Sequence, residues 1–390
     1  MPNDQLSDYL SWRRTVKRWL LVVGIWPKVK RSIWYRSLPI LQITVHSLLA
    51  MTISSFIRKY SHNIDFVIYA ASPLISISGS LIKATSIFMS RKDIEKLHQI
   101  LDPHFTKLIN DPNLSEIILN ELGIFRRLSS MLNISTYIFG ILYVTKPIIV
   151  VIYMHLHHIY PIQYILINPQ IFPWKITSNG LLYKFHYALD ILATILGFSV
   201  AAGVDLLFGL YISQMIAQLI EMSHRISQLD SSENENTKII AECMSQYGIL
   251  TECRDILNKV YGPIVLYTML TNAGGICSQM FQICKVQNLA IQKILIPLVF
   301  ISFKLFQTFL YAFGGSRLTQ ESEKYKAAIY ACKWQGDKHL MSSIVIMLAK
   351  KPVVLTAWSF TDISINLFMQ VVNTSLSYFF LLQTLQDKNT

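Results

Sequence analysis

Charged residues are scarce in this chain of 390 amino acids. Only 15% of the residues are Asp, Glu, Lys or Arg, whereas 52% are hydrophobic; a soluble globular protein usually carries about a quarter charged residues. A soluble protein of this length would still need a charged surface around its core. The scarcity therefore argues against a soluble enzyme and against a disordered chain, and it indicates a protein that crosses a membrane several times.

Motifs of the common enzyme and nucleic-acid-binding classes are also missing. The chain contains no GxGxxG, GxxxxGK[ST], HExxH or GxSxG motif, so nothing in it predicts an enzyme, a cofactor or a nucleic-acid partner. The five cysteines form no closely spaced even set, and we expect no secreted disulfide framework and no cleaved signal peptide. His155, His157 and His158 could bind a metal ion, but without a carboxylate or cysteine nearby they predict none.

Apolar stretches long enough to cross a bilayer occur seven times. A helix needs about 20 apolar residues to span the hydrocarbon core. The predicted spans are 37–57, 64–89, 133–154, 186–213, 261–283, 293–313 and 362–385. The last one is interrupted by several polar residues and is expected to be the least hydrophobic. The sequence therefore predicts an all-α membrane protein with seven spans in a single domain, 1–390.

Lys and Arg are distributed unequally between the two sides of these spans. The N-terminal segment and the connections 90–132, 214–260 and 314–361 hold 25 of the 35 basic residues, whereas the opposite side holds seven. Cytoplasmic connections carry an excess of Lys and Arg. The N-terminus is therefore predicted to be cytoplasmic and the C-terminus extracellular, the reverse of a G-protein-coupled receptor.

The connections differ in character as well as in charge. Apolar residues recur at helical spacing in 90–132, and the spans before and after 214–260 are predicted to continue as helices into the cytoplasm, around a polar break at 230–237. The connection 155–185 is rich in aromatic residues and prolines. We expect it to be an ordered, lid-like loop close to the outer membrane surface.

Charged residues well inside the predicted spans need partners, because burying a charge in lipid is costly. Lys146 with Asp190, and Lys304 with Asp205, could form ion pairs, or these side chains could line a water-filled cavity. Lys83 lies near the inner end of its span, where its ammonium group is expected to reach the membrane interface by snorkelling.

A small-molecule pocket is predicted among the outer halves of spans two to six. Its candidate ligand-binding residues are aromatic or apolar, apart from one lysine. They are Phe66, Tyr69, Pro73, Lys146, Ile149, Tyr153, Met280, Phe281, Phe300 and Phe303. For each of them, ordinary packing in the helical bundle is the competing interpretation.

Polar residues in the last span recur at helical spacing and lie on one face. The stripe consists of Asn366, Gln370, Asn373, Ser377, Leu381 and Thr384. It could line a pore, with its hydrophobic interruption at Leu381 and Leu385 closing that pore by dewetting, or it could hold helices together. Since one stripe cannot enclose a pore, the first interpretation requires several copies around an axis.

The C-terminal third of the chain resembles the insect odorant receptors. The residues that carry this resemblance are Gly315 to Leu318, Ser322, Tyr325, Ala327, Tyr330, Trp334, Leu348, Ala349, Pro352, Leu355, Ala357, Phe360, Ile363, Ser364, Phe368 and Ser375 to Phe379. The opening residues Trp19 and Gly24 to Pro27 are also similar to that family. The connection 214–260 is much shorter than the co-receptor's, so the chain resembles a tuning receptor.

The resemblance implies an odorant-gated, non-selective cation channel in the dendritic plasma membrane of olfactory sensory neurons. Four subunits, including a shared co-receptor, would surround a pore formed by the last helix. A cytoplasmic anchor would come from about 214–260 and 314–352. The pore and gate residues implied here are Gln370, Asn373, Ser377, Leu381, Gln383 and Leu385. A volatile organic ligand, permeating cations and membrane lipid are the other expected partners.

Three other classes of membrane protein are alternatives to this interpretation. A related gustatory receptor would carry five apolar residues between its Thr-Tyr and Gln-Phe pairs, whereas this chain has four between Tyr378 and Gln383. A G-protein-coupled receptor would place the N-terminus outside the cell. A secondary transporter would show internal repeats and paired broken helices, which the sequence lacks.

Overall fold

The computed structural model describes residues 2–27, 32–162, 164–177, 180–229, 233–284, 291–332 and 338–387. This part of the chain is almost entirely helical, which confirms the predicted all-α class. The helices are α1 (Pro2–Val22), α2 (Ile33–Lys59), α3 (Ile64–Met89), α4 (Arg91–Ile109), α5 (Pro112–Leu156), α6 (Leu181–Ser227), α7 (Glu233–Cys284), α8 (Ile291–Ala331), α9 (Lys338–Ala349) and α10 (Ile365–Asp387). Two short strands, β1 (Thr356–Ala357) and β2 (Thr361–Asp362), pair antiparallel between α9 and α10.

Six of the described helices are long and apolar enough to cross a membrane: α2, α3, α5, α6, α8 and α10. They correspond to six of the seven predicted spans, although α10 begins at Ile365, three residues after the predicted start at 362. The remaining span, 261–283, forms the C-terminal part of α7, which packs against α3, α8 and α10. Polar side chains, among them Thr268, Asn272 and Gln279, lower its hydropathy. The expectation that the last span would be the least hydrophobic is therefore wrong, because the fifth span, 261–283, has a lower hydropathy than the last one.

Helix α6 forms the centre of the bundle. Every residue from Ala202 to Leu219 is buried, and α6 packs against α1, α2, α3, α4, α5, α7 and α8. A helix that is apolar on all sides is stable only when neighbours surround it. The core of the protein therefore follows α6 from the predicted membrane level into the predicted cytoplasmic region.

Helix α1 closes one side of this core and ends in a tight turn. Trp12, Val16 and Leu20 are buried at a spacing of four residues, which is one face of a helix. Gly24 has a φ of 71°, a conformation that residues with a Cβ atom rarely adopt. The amide of Ile25 then donates to the carbonyl of Leu20 at 2.9 Å, which caps the helix.

The long connections fold as the helical spacing predicts. The 90–132 segment forms α4 and the first part of α5, and α6 and α7 extend well beyond their apolar spans. The polar break is shorter than the predicted 230–237, because α7 already begins at Glu233.

Helix α8 fixes the start of α10 through two residues of the C-terminal signature. A Cβ atom at Gly315 would collide with the carbonyl oxygen of Ile363, so only glycine permits this close approach. The Ser316 hydroxyl accepts a hydrogen bond of 2.9 Å from the amide of Ile365, the first residue of α10. Gly315 and Ser316 thus fix the position at which α10 begins.

Candidate ligand cavity and pore helix

A cavity of about 160 Å³ lies among α2, α3, α5, α6, α7 and α8. Its lining on α3 runs from Tyr69 to Lys83, which corresponds to a length of about 21 Å at the rise of an α-helix. Tyr69 lies at the end that the orientation rule predicts to be extracellular, and Lys83 lies deeper in the bundle. The cavity is therefore long and narrow, with two distinct ends.

The loop before α6 covers the outer end of the cavity. Asn168 and Pro169 line the cavity directly. The Gln170 side chain donates to Oδ1 of Asp190 at 2.7 Å, and the hydroxyl of Tyr143 donates to Oδ1 of Asn168 at 2.8 Å. Asp190 is only 3% exposed. Its carboxylate is satisfied by Gln170 and by the backbone amide of Asn168, which donates to Oδ2 at 3.4 Å. The loop is thereby held against α5 and α6.

Of the two alternatives for Lys146, the ion pair with Asp190 is wrong, whereas the side chain does line the cavity. Asp190 is occupied by the loop, and the ammonium group of Lys146 donates instead to the hydroxyl of Tyr69 at 2.9 Å. Lys146 also lies 4.8 Å from the centre of the Tyr69 ring. The spacing of residues along a helix cannot predict hydrogen bonds from a neighbouring loop. For this reason the partner of Asp190 could not be identified from the sequence.

Aromatic rings form the middle walls of the cavity. Phe139 lies 5.4 Å from Phe198, 5.6 Å from Phe300 and 6.2 Å from Phe303, measured between ring centres. All four residues line the cavity. Rings in such edge-to-face and stacked arrangements offer a rigid apolar surface to a small organic molecule.

Helix α7 contributes polar side chains to the opposite wall. Thr268, Thr271, Asn272, Gln279 and Gln282 line the cavity. The side-chain amide of Asn272 donates to the hydroxyl of Thr308 at 2.8 Å, and that of Gln279 donates to the hydroxyl of Ser72 at 3.2 Å. Polar residues that lower the hydropathy of the fifth span, such as Asn272 and Gln279, therefore face the cavity.

A buried ion pair closes the inner end. The Lys83 ammonium lies 2.5 Å from Oδ1 of Asp205, and the two side chains are 4% and 0% exposed. Asp205 also accepts hydrogen bonds from Gln307 at 2.6 Å and from the hydroxyl of Tyr311 at 2.5 Å. A buried charge is tolerated when it is paired and its remaining lone pairs are bonded. Asp205 meets both conditions.

Two sequence predictions fail at this pair. Lys83 does not reach the membrane interface, because it is only 3% exposed and points to Asp205. Lys304 does not pair with Asp205 among the described contacts; its nearest hydrogen-bond acceptor is Oε1 of Gln307, at 3.5 Å. Three helices converge on Asp205, so the partner of each charge depends on packing and not on depth in the membrane.

Five of the ten candidate ligand residues line the cavity: Tyr69, Pro73, Lys146, Phe300 and Phe303. The other five lie elsewhere. Phe66 packs with Tyr60 near the end of α2, Tyr153 is 55% exposed, Ile149 is half-buried, and Met280 and Phe281 belong to a cluster with α10. Whether any of the ten contacts a ligand stays a prediction.

Sequence reasoning missed the polar wall on α7 and part of the aromatic wall. Phe139 and Phe198 are ordinary span residues by sequence. Thr268, Asn272 and Gln279 are spaced four and seven residues apart, which is the spacing of one helix face. This periodicity within a weakly apolar span is the signal that could have identified the wall.

Helix α7 lies between the cavity and α10. Cys277 and Phe281 of α7 are buried against Phe379 of α10, and Met280 and Leu382 pack around them. Gln279, two residues from Phe281, points to the opposite side and lines the cavity. A movement of α7 would therefore change both the wall of the cavity and the contact with α10.

The polar stripe of α10 points away from the subunit's own bundle. Asn366, Gln370, Asn373, Ser377, Leu381 and Thr384 are all exposed. Val371, Ser375 and Phe379 are buried, and their spacing of four places them on the opposite face. The stripe thus does not hold α10 to its own subunit.

The remaining gate residues lie at the end of α10. Gln383 is exposed, but it lies two residues after Leu381 and therefore about 200° around the helix from it. Leu385 belongs to α10, and its side chain lies outside the described residues. The assignment of these residues to a gate stays a prediction.

The sequence is similar to those of known odorant receptors. The family model for the 7tm odorant receptor matches residues 63–376. Odorant receptor 13a of Drosophila melanogaster is 23% identical, over 94% of this chain and 94% of its own length. The odorant receptor coreceptor of Anopheles gambiae is 26% identical, over 33% of this chain and 28% of its own length.

Solved structures show the same fold. The insect olfactory receptor OR5 from Machilis hrabei, in complex with eugenol, superimposes with a TM-score of 0.79. The superposition covers 97% of this chain and 100% of the other, at 12% sequence identity. The arrangement of helices is thus retained while most residues differ.

Proposed function

Because this chain belongs to the 7tm odorant receptor family, we propose that it is an odorant-gated, non-selective cation channel subunit of the tuning class. The cavity between α3, α5, α6, α7 and α8 binds the odorant, and α10 contributes one wall of the pore. The protein is a multi-pass membrane protein, and the dendritic membrane of olfactory sensory neurons is its proposed location.

The polar stripe on α10 is the observation that carries this proposal. Its six residues are exposed on the side opposite the buried Val371 and Phe379. Lipid cannot satisfy the amides of Gln370 and Asn373, which would remain without hydrogen-bond partners in hydrocarbon. Water on a central axis can satisfy them, and four copies of α10 around that axis would enclose a pore.

The contact between α7 and α10 supports a route from ligand to gate. An odorant in the cavity touches the polar face of α7, and the opposite face, with Phe281, packs on Phe379 of α10. A ligand that binds the open arrangement more tightly than the closed one shifts the equilibrium by that difference in affinity. Movement of α10 then draws Leu381 away from the pore axis.

The proposed partner is a shared co-receptor, in a tetramer. Several relatives of this chain are odorant receptor coreceptors, which are 26% identical to it over 133 residues, and this similarity supports the proposed partner. The long inner parts of α6, α7 and α8, together with α9, form the proposed anchor between subunits. Cations and lipid are the remaining partners.

Replacing Leu381 by Ala tests the pore assignment. In cells that co-express a co-receptor, the variant should raise the ligand-free current about tenfold, because a hydrophobic constriction closes by excluding water. Leu376→Ala is the matched control, since Leu376 is 38% exposed on the same helix but away from the stripe. Equal ligand-free currents in Leu381→Ala and the unmutated receptor, at equal surface expression, would contradict a gate at this residue.

A further inference from the structure

The cavity has an unbalanced charge. Three lysines line it, namely Lys83, Lys146 and Lys304. No Asp or Glu does so among the residues that the structure describes. A site for purely apolar odorants has no need of buried ammonium groups, each of which costs free energy to remove from water.

Two of the three lysines have strong partners within the chain. Lys83 forms its ion pair with Asp205. Lys146 lies at the outer end, donates to the Tyr69 hydroxyl and is half-buried, so its ammonium can also reach water. Neither of them leaves a buried charge uncompensated.

Lys304 is different. The residue is 8% exposed and lines the cavity. Its hydrogen bond to Oε1 of Gln307 is 3.5 Å long, at the limit for such a bond. The ammonium otherwise faces the rings of Phe300 and Phe303, 5.5 and 5.6 Å from their centres. Within the described residues it forms no ion pair, although an ammonium group carries three donors.

The amide of Gln307 cannot supply what Lys304 lacks. Its nitrogen already donates to Asp205 at 2.6 Å, and its oxygen also lies 3.3 Å from the side-chain amide of Asn272. The nearby carboxylate of Asp205 already pairs with Lys83 and accepts hydrogen bonds from Gln307 and Tyr311. In the described part of the chain, the inner end of the cavity therefore holds two lysines but only one carboxylate.

We propose that this cavity recognises odorants that carry a carboxylate, and that Lys304 binds the carboxylate while Phe139, Phe300 and Phe303 enclose the apolar tail. A carboxylate has only acceptor atoms. It can therefore accept the hydrogen bonds that Lys304 leaves unmade, and it stabilises the charged form of that side chain. This inference rests on the proposed odorant-receptor function and specifies the class of its ligand.

An eight-carbon series separates the anionic head group from chain length. Cells co-expressing the receptor and a co-receptor are exposed to octanoate, methyl octanoate, octanal and 1-octanol, and currents are recorded. Octanoate should open the channel at the lowest concentration. If methyl octanoate or octanal is equally potent in the unmutated receptor, a neutral acceptor suffices and the proposal is overturned.

Substituting Lys304 by Met keeps the length of the side chain and removes its charge. The half-maximal concentration of octanoate should rise about 10- to 100-fold, which is the range expected for losing one hydrogen-bonded charge. That of methyl octanoate should change less than about threefold, since the apolar walls remain. Lys304→Arg should retain the preference for octanoate. Equal losses for acid and ester would overturn the proposal.

Two further lysines serve as comparisons. Lys59 is exposed at the end of α2, and Lys59→Met should leave the octanoate response unchanged, which excludes simple attraction of anions to the surface. Lys146→Met probes the outer end. If it, and not Lys304→Met, removes the preference for octanoate, the assignment to Lys304 is overturned.

Failure of this inference is distinguishable from failure of the proposed function. No current with any compound, from receptor shown to be at the cell surface, would contradict the channel function itself. Currents with neutral odorants but not with octanoate would contradict the carboxylate assignment alone. If Lys304→Met does not reach the surface, the comparison of octanoate with its methyl ester in the unmutated receptor still decides the question.

Discussion

Two groups of polar residues in this apolar chain have opposite surroundings. At the inner end of the cavity, Asp205 is fully buried and is bonded by Lys83, Gln307 and Tyr311. On α10 the polar stripe is exposed, and the hydroxyl of Ser377 finds its acceptor only one turn back on the same helix.

The difference distinguishes polar residues that find their hydrogen-bond partners within the subunit from those that need partners outside it. The Asp205 cluster satisfies itself and joins α3, α6 and α8. The stripe has no such partner within the described bundle, and in a membrane it must meet water, ions or another subunit. Lys304 belongs to neither group, because it is buried like the first and incompletely paired like the second.

Removing the charge of Asp205 should have the largest effect. Asp205→Asn leaves Lys83 as a buried charge without its counterion, which typically costs about 3–5 kcal/mol. We expect little receptor at the cell surface, measured by labelling an extracellular tag. The double variant Lys83→Met with Asp205→Asn should recover part of the surface signal, since two neutral side chains need no ion pair. Normal surface levels of Asp205→Asn would show that the pair is dispensable.

Cutting the contact between α7 and α10 should have an intermediate effect. Phe379 is 8% exposed and Phe380 is 58% exposed, so the two neighbouring phenylalanines form a matched pair. Phe379→Ala should reduce the maximal odorant-evoked current about fivefold or more through lost coupling, with ligand binding retained. Phe380→Ala should leave the maximal current close to that of the unmutated receptor. The reverse order in current recordings would place the coupling contact elsewhere.

Adding charge to the stripe should have the smallest effect. Gln370→Glu places a carboxylate on the stripe and should raise single-channel cation conductance about twofold, as acidic rings do in cation pores. Gln383→Glu makes the same chemical change about 200° around the helix from Leu381. Because Gln383 is predicted to lie beside the gate and not on the stripe, conductance should change less than with Gln370→Glu. A larger effect at Gln383 than at Gln370 would mean that the pore faces the other side of α10.

The fold was largely predictable because span length and helix periodicity are local properties. Six predicted spans coincide with apolar helices, and the helical continuation of α6 and α7 follows from spacing alone. The boundaries of the polar break were less predictable, because acidic residues such as Glu233 are as suited to a helix N-terminus as to a loop.

The candidate site was only partly predictable. Tyr69, Phe300 and Phe303 are aromatic residues at a depth that predicts ligand contact, and they line the cavity. Phe281 satisfied the same criterion and packs on α10. Depth in the membrane is readable from sequence, whereas the direction in which a side chain points depends on the rotation of each helix against its neighbours.

The sequence by itself determined that this is an all-helical membrane protein, which stretches cross the membrane and which face of the last helix is polar. Those properties follow from hydropathy and from the 3.6-residue repeat, which act within one segment. Only the tertiary structure decided that Lys83 is the partner of Asp205, that α7 separates the cavity from α10 and that Lys304 is left without an ion pair among the described residues. Each of these facts involves helices far apart in the chain, and close packing fixes their relative rotation.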